Sequence, residues 1–331
     1  MAHIVLAAAT GHGPMLALEP EMWVQRAQDE MSSTAAVLNT LDGRFLTYAD
    51  LLAERGPSHP DQPDLAGFRA LAARCQAALQ RLGENLAAAR PDVLIVIGND
   101  QDELFDSANT PALAIHHGQT VSTFKRDETG FPEWRRIVTL AYGLDRVRDY
   151  PGAPDFARSL IRQACDAGFD VAAVGASAAP GKGIGHAFSF VLERFYGGEP
   201  PPVVPVLVNT YTPLNRLSAT RAYDFGKTLR RAIDAVPGDA RVAVLASGGL
   251  SHFLCEEAFD LEIMAAVEQD RLADLRDLPE AALQAGSSEI RSWVVLAGLV
   301  EGLTRQWTDY VPVHRTPAGS GQGFGWAVWR P

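Results

Sequence analysis

Residues 241–252 read Arg-Val-Ala-Val-Leu-Ala-Ser-Gly-Gly-Leu-Ser-His. An unbroken apolar run of this length suits a buried strand, too short for a helix and closed by turn residues. The glycine pair lets the backbone turn sharply and lets a ligand approach. His252 then stands just beyond the tip. Two other segments repeat the plan. Residues 3–9 (HIVLAAA) run into Thr10-Gly11-His12-Gly13-Pro14, and 92–98 run into Asn99-Asp100-Gln101-Asp102. Further strands are expected at 170–175, 203–208 and 324–329. Helices are expected at 66–89, 154–167, 217–235, 256–275 and 288–303, where apolar residues recur every three or four positions. Strands alternating with helices predict an α/β fold with a central, mostly parallel sheet flanked by helices. Residues 32–64 and 101–133 lack either period and read as long loops over one edge.

Composition bounds the rest. The chain has 331 residues, 47% of them hydrophobic, enough for one large core, and a single domain over 1–331 is expected. Its formal net charge of −11 argues against nucleic acid, which demands a surplus of Lys and Arg. No run of 18 apolar residues predicts a membrane span, and the N-terminus lacks the basic start of a secretory signal. Cys75, Cys165 and Cys255 are scattered, without a CxxC pair, which fits a reducing cytoplasm.

In open α/β sheets, ligands bind beyond the carboxyl ends of the strands. Two of the three polar tips offer a histidine, and that convergence points to a site. Each tip alone has a plainer reading: a histidine after a strand is usually a hydrogen-bonded loop residue, and Asn or Asp there forms turns or caps. In Gly286-Ser287-Ser288-Glu289, either serine suits a helix N-cap and Glu289 its acidic first turn. A carboxylate held at a helix start is also a well-directed metal ligand.

Together these segments resemble the class III extradiol ring-cleavage dioxygenases, the family of the protocatechuate 4,5-dioxygenase β subunit and of gallate and 3-O-methylgallate dioxygenases. The resemblance rests on eight markers in order: GHGPML at 11–16, VIGNDQDELF at 96–105, ALAIHHG at 112–118, Gly185-His186, VLVNTY at 206–211, ASGGLSHF at 246–253, GSSEIRSW at 286–293 and PAGSGQGFGWAVW at 317–329. It implies a non-haem iron(II) enzyme opening a catechol-type ring with O₂, its metal held by two histidines and a glutamate. It places His12 and Glu289 among the metal ligands, His252 as the general acid/base, and His186 as a second catalytic histidine near the substrate.

The chain departs from the pattern at one ligand. Family members end the second tip in Asn-Asp-His, whereas this chain has Asn99-Asp100-Gln101. His59, in Gly56-Pro57-Ser58-His59-Pro60, is the expected replacement, with Gln101, His116 and His117 as rivals; loss of iron is the remaining alternative. Gln101, His116, His117, Asn209 and Tyr211 are candidates for substrate binding. Lys125 and Arg126 are candidates to hold a carboxylate or hydroxyl, against a plainer role on a solvated loop. Trp23 and Phe131 are aromatic walls or core. Glu256 and Glu257 are expected to be the acidic start of a helix rather than ligands. The implied partners are a small aromatic substrate and O₂, and a homo-oligomer is expected. Two other functions stay open: a non-redox metalloenzyme using His12 and Glu289, and an inactive accessory subunit.

Overall fold

The computed structural model describes residues 1–59, 64–176 and 180–331. Its strands are β1 (His3–Thr10), β2 (Leu38–Asn39), β3 (Phe45–Leu46), β4 (Val93–Gly98), β5 (Leu113–His116), β6 (Thr120–Ser122), β7 (Asp149–Pro151), β8 (Ala172–Val174), β9 (Val203–Val208), β10 (Arg241–Ser247), β11 (His252–Leu254), β12 (Thr304–His314) and β13 (Ser320–Arg330). Its α-helices are α1 (Pro20–Ser32), α2 (Tyr48–Arg55), α3 (Leu65–Ala89), α4 (Glu133–Ala141), α5 (Pro154–Asp166), α6 (His186–Tyr196), α7 (Ala219–Ala235), α8 (Glu257–Glu268) and α9 (Ile290–Leu299).

Nine strands form one sheet in the order β11-β13-β1-β10-β4-β9-β5-β8, with β12 on the other side of β13. The central pairs β1–β10, β10–β4 and β4–β9 are parallel. The unbroken apolar runs follow from this, because both faces of these strands are covered. In β4, Val93, Ile95 and Ile97 enter one core and Leu94 and Val96 the other, the period of two that a strand imposes. One face packs against α5, α7, α8 and α9, the other against α1, α3, α4 and α6.

Register brings the polar tips together. Thr10 pairs with Ser247, Ala246 with Ile97, and Gly98 with Leu207. The segments after β1, β10, β4 and β9 therefore leave the sheet at one edge. Strand β13 runs antiparallel to β1 with Trp326 opposite Thr10, so its beginning, Gly321 and Gln322, reaches the same edge.

Several expected elements change. The run 324–329 is part of an 11-residue strand, and its partner β12 had no separate signal; Thr304–His314 is exposed at its start, partly buried beyond, and mixes charged with apolar residues. The helix expected over 256–275 ends at Glu268 and continues as a 3₁₀ turn, Leu272–Asp277. The helix expected over 288–303 is Ile290–Leu299, preceded by a 3₁₀ turn, Ala285–Glu289. Neither Ser287 nor Ser288 caps it; Glu289 itself takes the N-cap position. The described parts of 32–64 and 101–133 hold β2, β3 and α2, and β5 and β6, besides loops. Among the described residues no helix is long and apolar enough to cross a membrane.

Helices α7 and α9 meet backbone to backbone through glycine. A Cβ at Gly298 would lie 2.1 Å from the Tyr223 carbonyl oxygen, and one at Gly226 would lie 1.9 Å from that of Val295. Alanine raises intrinsic helix stability by about 1 kcal/mol over glycine, but overpacking costs about 1–3 kcal/mol and here the obstacle is backbone. Gly298→Ala is expected to destabilise the protein by about 2 kcal/mol in urea denaturation. A variant as stable as the parent would show that the helices are not in backbone contact.

Candidate functional site

Glu289 is the centre of the site. It is 2% exposed, and both carboxylate oxygens are engaged. Oε1 accepts from Asn99 Nδ2 at 3.1 Å and from Gln101 Nε2 at 3.3 Å. Oε2 accepts from the backbone N–H of Gly249 at 3.0 Å. Oε2 also faces Nε2 of His12 at 3.3 Å and Nε2 of His252 at 3.7 Å. Each of the three polar strand tips thus sends at least one group to this carboxylate. Burial alone would raise its pKa, but His12 and His252 outweigh burial and hold it well below the usual carboxylate range.

His12 is 3% exposed, and its Nδ1 lies 3.0 Å from Ser247 Oγ. Burial lowers its pKa more strongly than Glu289 raises it. A neutral imidazole with Nε2 directed at Glu289 is a suitable metal donor. Tyr142 fixes the same turn from below, its hydroxyl donating to the His12 carbonyl.

His186 opens α6, and its ring meets that of His12 edge to face with centroids 4.8 Å apart. Glu103, 5% exposed, holds it twice. The His186 backbone N–H donates to Oε1 at 3.0 Å, and Nδ1 lies 2.8 and 2.9 Å from the two oxygens. Glu103 also accepts from Arg126 Nη2 at 2.8 Å. Burial alone would lower the pKa of His186, but the Glu103 charge and hydrogen bond prevail and raise it. The carboxylate fixes the tautomer with hydrogen on Nδ1 and makes Nε2 the basic nitrogen, the way a carboxylate commonly supports a metal-binding imidazole. Gly185 is required here: a Cβ on it would fall 1.5 Å from Glu103 Oε2. One ligand atom from each of His12, His186 and Glu289 lies within 4.8 Å of the others, and this is the one such group of three found among the described residues.

His252 completes the wall. Its Nδ1 lies 2.8 Å from the Leu250 carbonyl, an acceptor, so in the neutral ring Nδ1 carries the hydrogen and Nε2 is bare. Ser287 bridges its backbone, accepting from the His252 N–H at 3.1 Å and donating to its carbonyl at 3.0 Å.

These groups line a cavity of about 480 Å³. Phe124, Phe131, Trp134, Tyr211 and Phe253 supply aromatic walls, and Gln101, Arg126 and Arg135 also face it. Trp23, by contrast, is core, donating to the carbonyls of Met15 and Leu18.

Several expected site residues stand elsewhere. His59 does not line this cavity; its ring stacks on His314 with centroids 3.7 Å apart, and its N–H donates to the Pro317 carbonyl. Pro60, the residue after it, lies outside the described residues. His116 lines a different cavity, where its Nδ1 accepts from the Gly118 N–H and burial lowers its pKa to about 4. His117 is absent from the lining, its Nδ1 buried without a hydrogen-bond partner among the described residues. Asn209 ties its own turn, bonding Thr212 and Asn215. Lys125 is exposed and outside the cavity. Glu256 pairs with Arg55, and Glu257 lies 3.4 Å from His314, both away from Glu289. Sequence reading passed over Glu103 and Tyr142, whose only signal is an acid beside a polar tip and an aromatic just after an amphipathic helix.

The family model described as the catalytic LigB subunit of aromatic ring-opening dioxygenase matches residues 51–325. His186, His252 and Glu289 fall within that span and His12 precedes it. A stretch of 110 residues is 32% identical to a gallate dioxygenase of Pseudomonas putida, covering 30% of this chain and 32% of that protein, so the match spans about a third of the relative's length. A crystal structure of an uncharacterized Escherichia coli K12 protein, JW3007, aligns over 98% of this chain and 99% of its own at 15% identity with a TM-score of 0.46. With five-sixths of its length matched by one family model, the chain belongs to the family of the catalytic LigB subunit of aromatic ring-opening dioxygenases.

Proposed function

We propose that the protein is an iron(II)-dependent extradiol dioxygenase, with His12, His186 and Glu289 holding the metal and His252 moving the proton. The observation that carries this reading is the convergence on one buried carboxylate of a neutral histidine and a carboxylate-supported histidine, within an aromatic-walled cavity. Two imidazoles and one carboxylate are the donor set of non-haem iron(II) oxygenases. His186 takes the place the sequence assigned to His59, while Gln101 orients Glu289 instead of binding metal. Bound there, iron(II) supplies the redox partner that lets O₂ react with an electron-rich ring. The remaining work belongs to the chain. The aromatic walls hold the ring flat, and the bare Nε2 of His252 accepts a proton from a ring hydroxyl and later returns it.

The enzyme, loaded with iron(II) under anaerobic conditions and then exposed to O₂, should consume O₂ with catechol, protocatechuate, gallate or 3-O-methylgallate and release a yellow ring-opened product. Metal binding without O₂ uptake on any of them would favour a non-redox metalloenzyme, and failure to bind metal an accessory subunit. His186→Ala and Glu289→Ala should each retain less than about a tenth of the parent's iron, since loss even of an outer partner commonly costs about 10–100-fold in affinity. His59→Ala should retain it all. Iron lost from the His59 variant but kept by the His186 variant would reverse this assignment.

His252→Ala should keep its iron and lose about 100- to 10,000-fold in turnover, the usual contribution of a general acid/base. Normal turnover with depleted iron would make His252 a ligand instead.

The cavity also suggests which rings are preferred. Of the four arginines lining it, Arg26 and Arg315 pair with Glu30 and Arg126 with Glu103. Arg135 instead rests on Phe131 and Trp134, with no carboxylate partner among the described residues. It is placed to meet an anionic ring substituent. Arg135→Ala should raise KM for protocatechuate about tenfold, equivalent to about 1.4 kcal/mol, and leave KM for catechol unchanged. Equal effects on both would assign Arg135 to packing alone.

A further inference from the structure

The segment that carries His252 is anchored by a group outside the cavity. Asp260 lies in the first turn of α8 and is 0% exposed. Its Oδ1 accepts from the Ser251 backbone N–H at 2.8 Å. Its Oδ2 accepts from Ser251 Oγ at 2.7 Å and from Tyr310 Oη at 2.8 Å. Ser251 is held on its remaining sides: its Oγ accepts from the Glu256 N–H at 2.8 Å, and its carbonyl from the Gly323 N–H at 2.9 Å. Every polar atom of Ser251 is therefore committed, one residue before His252.

Two features show that this is a demanding arrangement. No lysine, arginine or histidine forms an ion pair with Asp260 among the described residues, and burial of such a carboxylate is costly; burial raises its pKa to about 6. Strand β13 also gives way to it, for a Cβ at Gly323 would fall 1.8 Å from Asp260 Oδ2. A neighbouring glycine does the same for the turn: a Cβ at Gly325 would meet Leu250 Cδ1 at 2.8 Å. Leu250 supplies the carbonyl that fixes the His252 ring. A helix start that needed only an acid would be served by exposed Glu257.

We propose that Asp260 is a positioning residue for His252: by clamping Ser251 it holds the 250–252 turn so that the Leu250 carbonyl keeps the hydrogen on Nδ1 and the bare Nε2 faces the cavity. The proposal rests on the acid/base role given above to His252. Tyr310 is the third member of the clamp, reaching Asp260 from β12.

The test uses the full chain labelled with ¹⁵N-histidine and the variants Asp260→Asn, Ser251→Ala and Tyr310→Phe. In the metal-free parent, the His252 ring, assigned by its absence in His252→Ala, should show one tautomer, with hydrogen on Nδ1. Asp260→Asn and Ser251→Ala should turn this into a mixture, and Tyr310→Phe should do so less. This readout does not depend on turnover, so it stands even if the assigned reaction is wrong. With iron loaded, kcat should fall at least tenfold in Asp260→Asn while KM and iron content stay within twofold. The double variant Asp260→Asn/Ser251→Ala should be no slower than the worse single one, because both act through one contact. Additive losses, an unchanged His252 tautomer in all three variants, or iron content and kcat falling together would each overturn the proposal. Tyr310→Phe deletes one hydroxyl from the clamp and keeps the test alive should Asp260→Asn fail to fold.

Discussion

Everything at the cavity floor depends on keeping the Glu289 carboxylate charged while it is removed from water. An isolated buried carboxylate would take up a proton rather than stay ionised. Here the charge is met by donors from separate elements, Asn99 and Gln101 beyond β4 and Gly249 beyond β10, while the imidazoles of His12 and His252 face its second oxygen. None of these elements could supply the environment alone. The parallel register of β1, β10 and β4 brings the tips to a common edge, so the geometry of the sheet determines the electrostatics of the site.

A second buried carboxylate divides the labour. Glu103 is neutralised by Arg126 and His186 and touches none of the Glu289 donors. Its pKa, which burial alone would raise, is drawn below the usual range by His186 and Arg126. It caps the start of α6 and orients His186 at once, so helix and ring are fixed by one group. The three histidines therefore differ in character through their Nδ1 partners. His12 leans on a hydroxyl, His186 on a carboxylate and His252 on a backbone carbonyl. Only His186 has a charged partner there, which raises the basicity of its opposite nitrogen.

The sheet was legible because its central strands are buried on both faces, which leaves unbroken apolar runs in β1, β4, β9 and β10 that no loop would carry. The tips were legible as glycine and histidine beyond those runs. What the sequence hid were partners distant along the chain. Glu103 and His186 are 83 positions apart, and their meeting depends on how α6 is set against the loop after β4. His59 stands outside the cavity, and the sequence could not show this for the converse reason. A histidine before proline indicates an extended backbone but gives no direction for the ring, and the hairpin residue His314, which its ring stacks on, had no signal of its own. Local propensity also misjudged Glu289. Ser287 looks like a cap, yet its hydroxyl bridges the His252 backbone, and the chain enters α9 through a 3₁₀ turn instead.

Gln101 departs from the family pattern and takes a different part at the site. An amide at this tip gives up a ring nitrogen, but it can donate a hydrogen bond, which an unprotonated imidazole nitrogen facing a metal cannot. In this chain the donated hydrogen goes to Oε1 of Glu289, beside that of Asn99, leaving Oε2 to face His12 and His252. The carboxylate is thereby held with one oxygen turned to the protein and the other to the imidazoles. The nitrogen forgone at position 101 has a counterpart in His186, which approaches His12 edge on from the first residue of α6. On the proposed assignment two imidazoles and one carboxylate meet here, the second imidazole coming from a helix start rather than a strand tip. A helix start with its first N–H and its ring bound to the same carboxylate is a rigid mount, and rigidity is what a donor set of this kind requires.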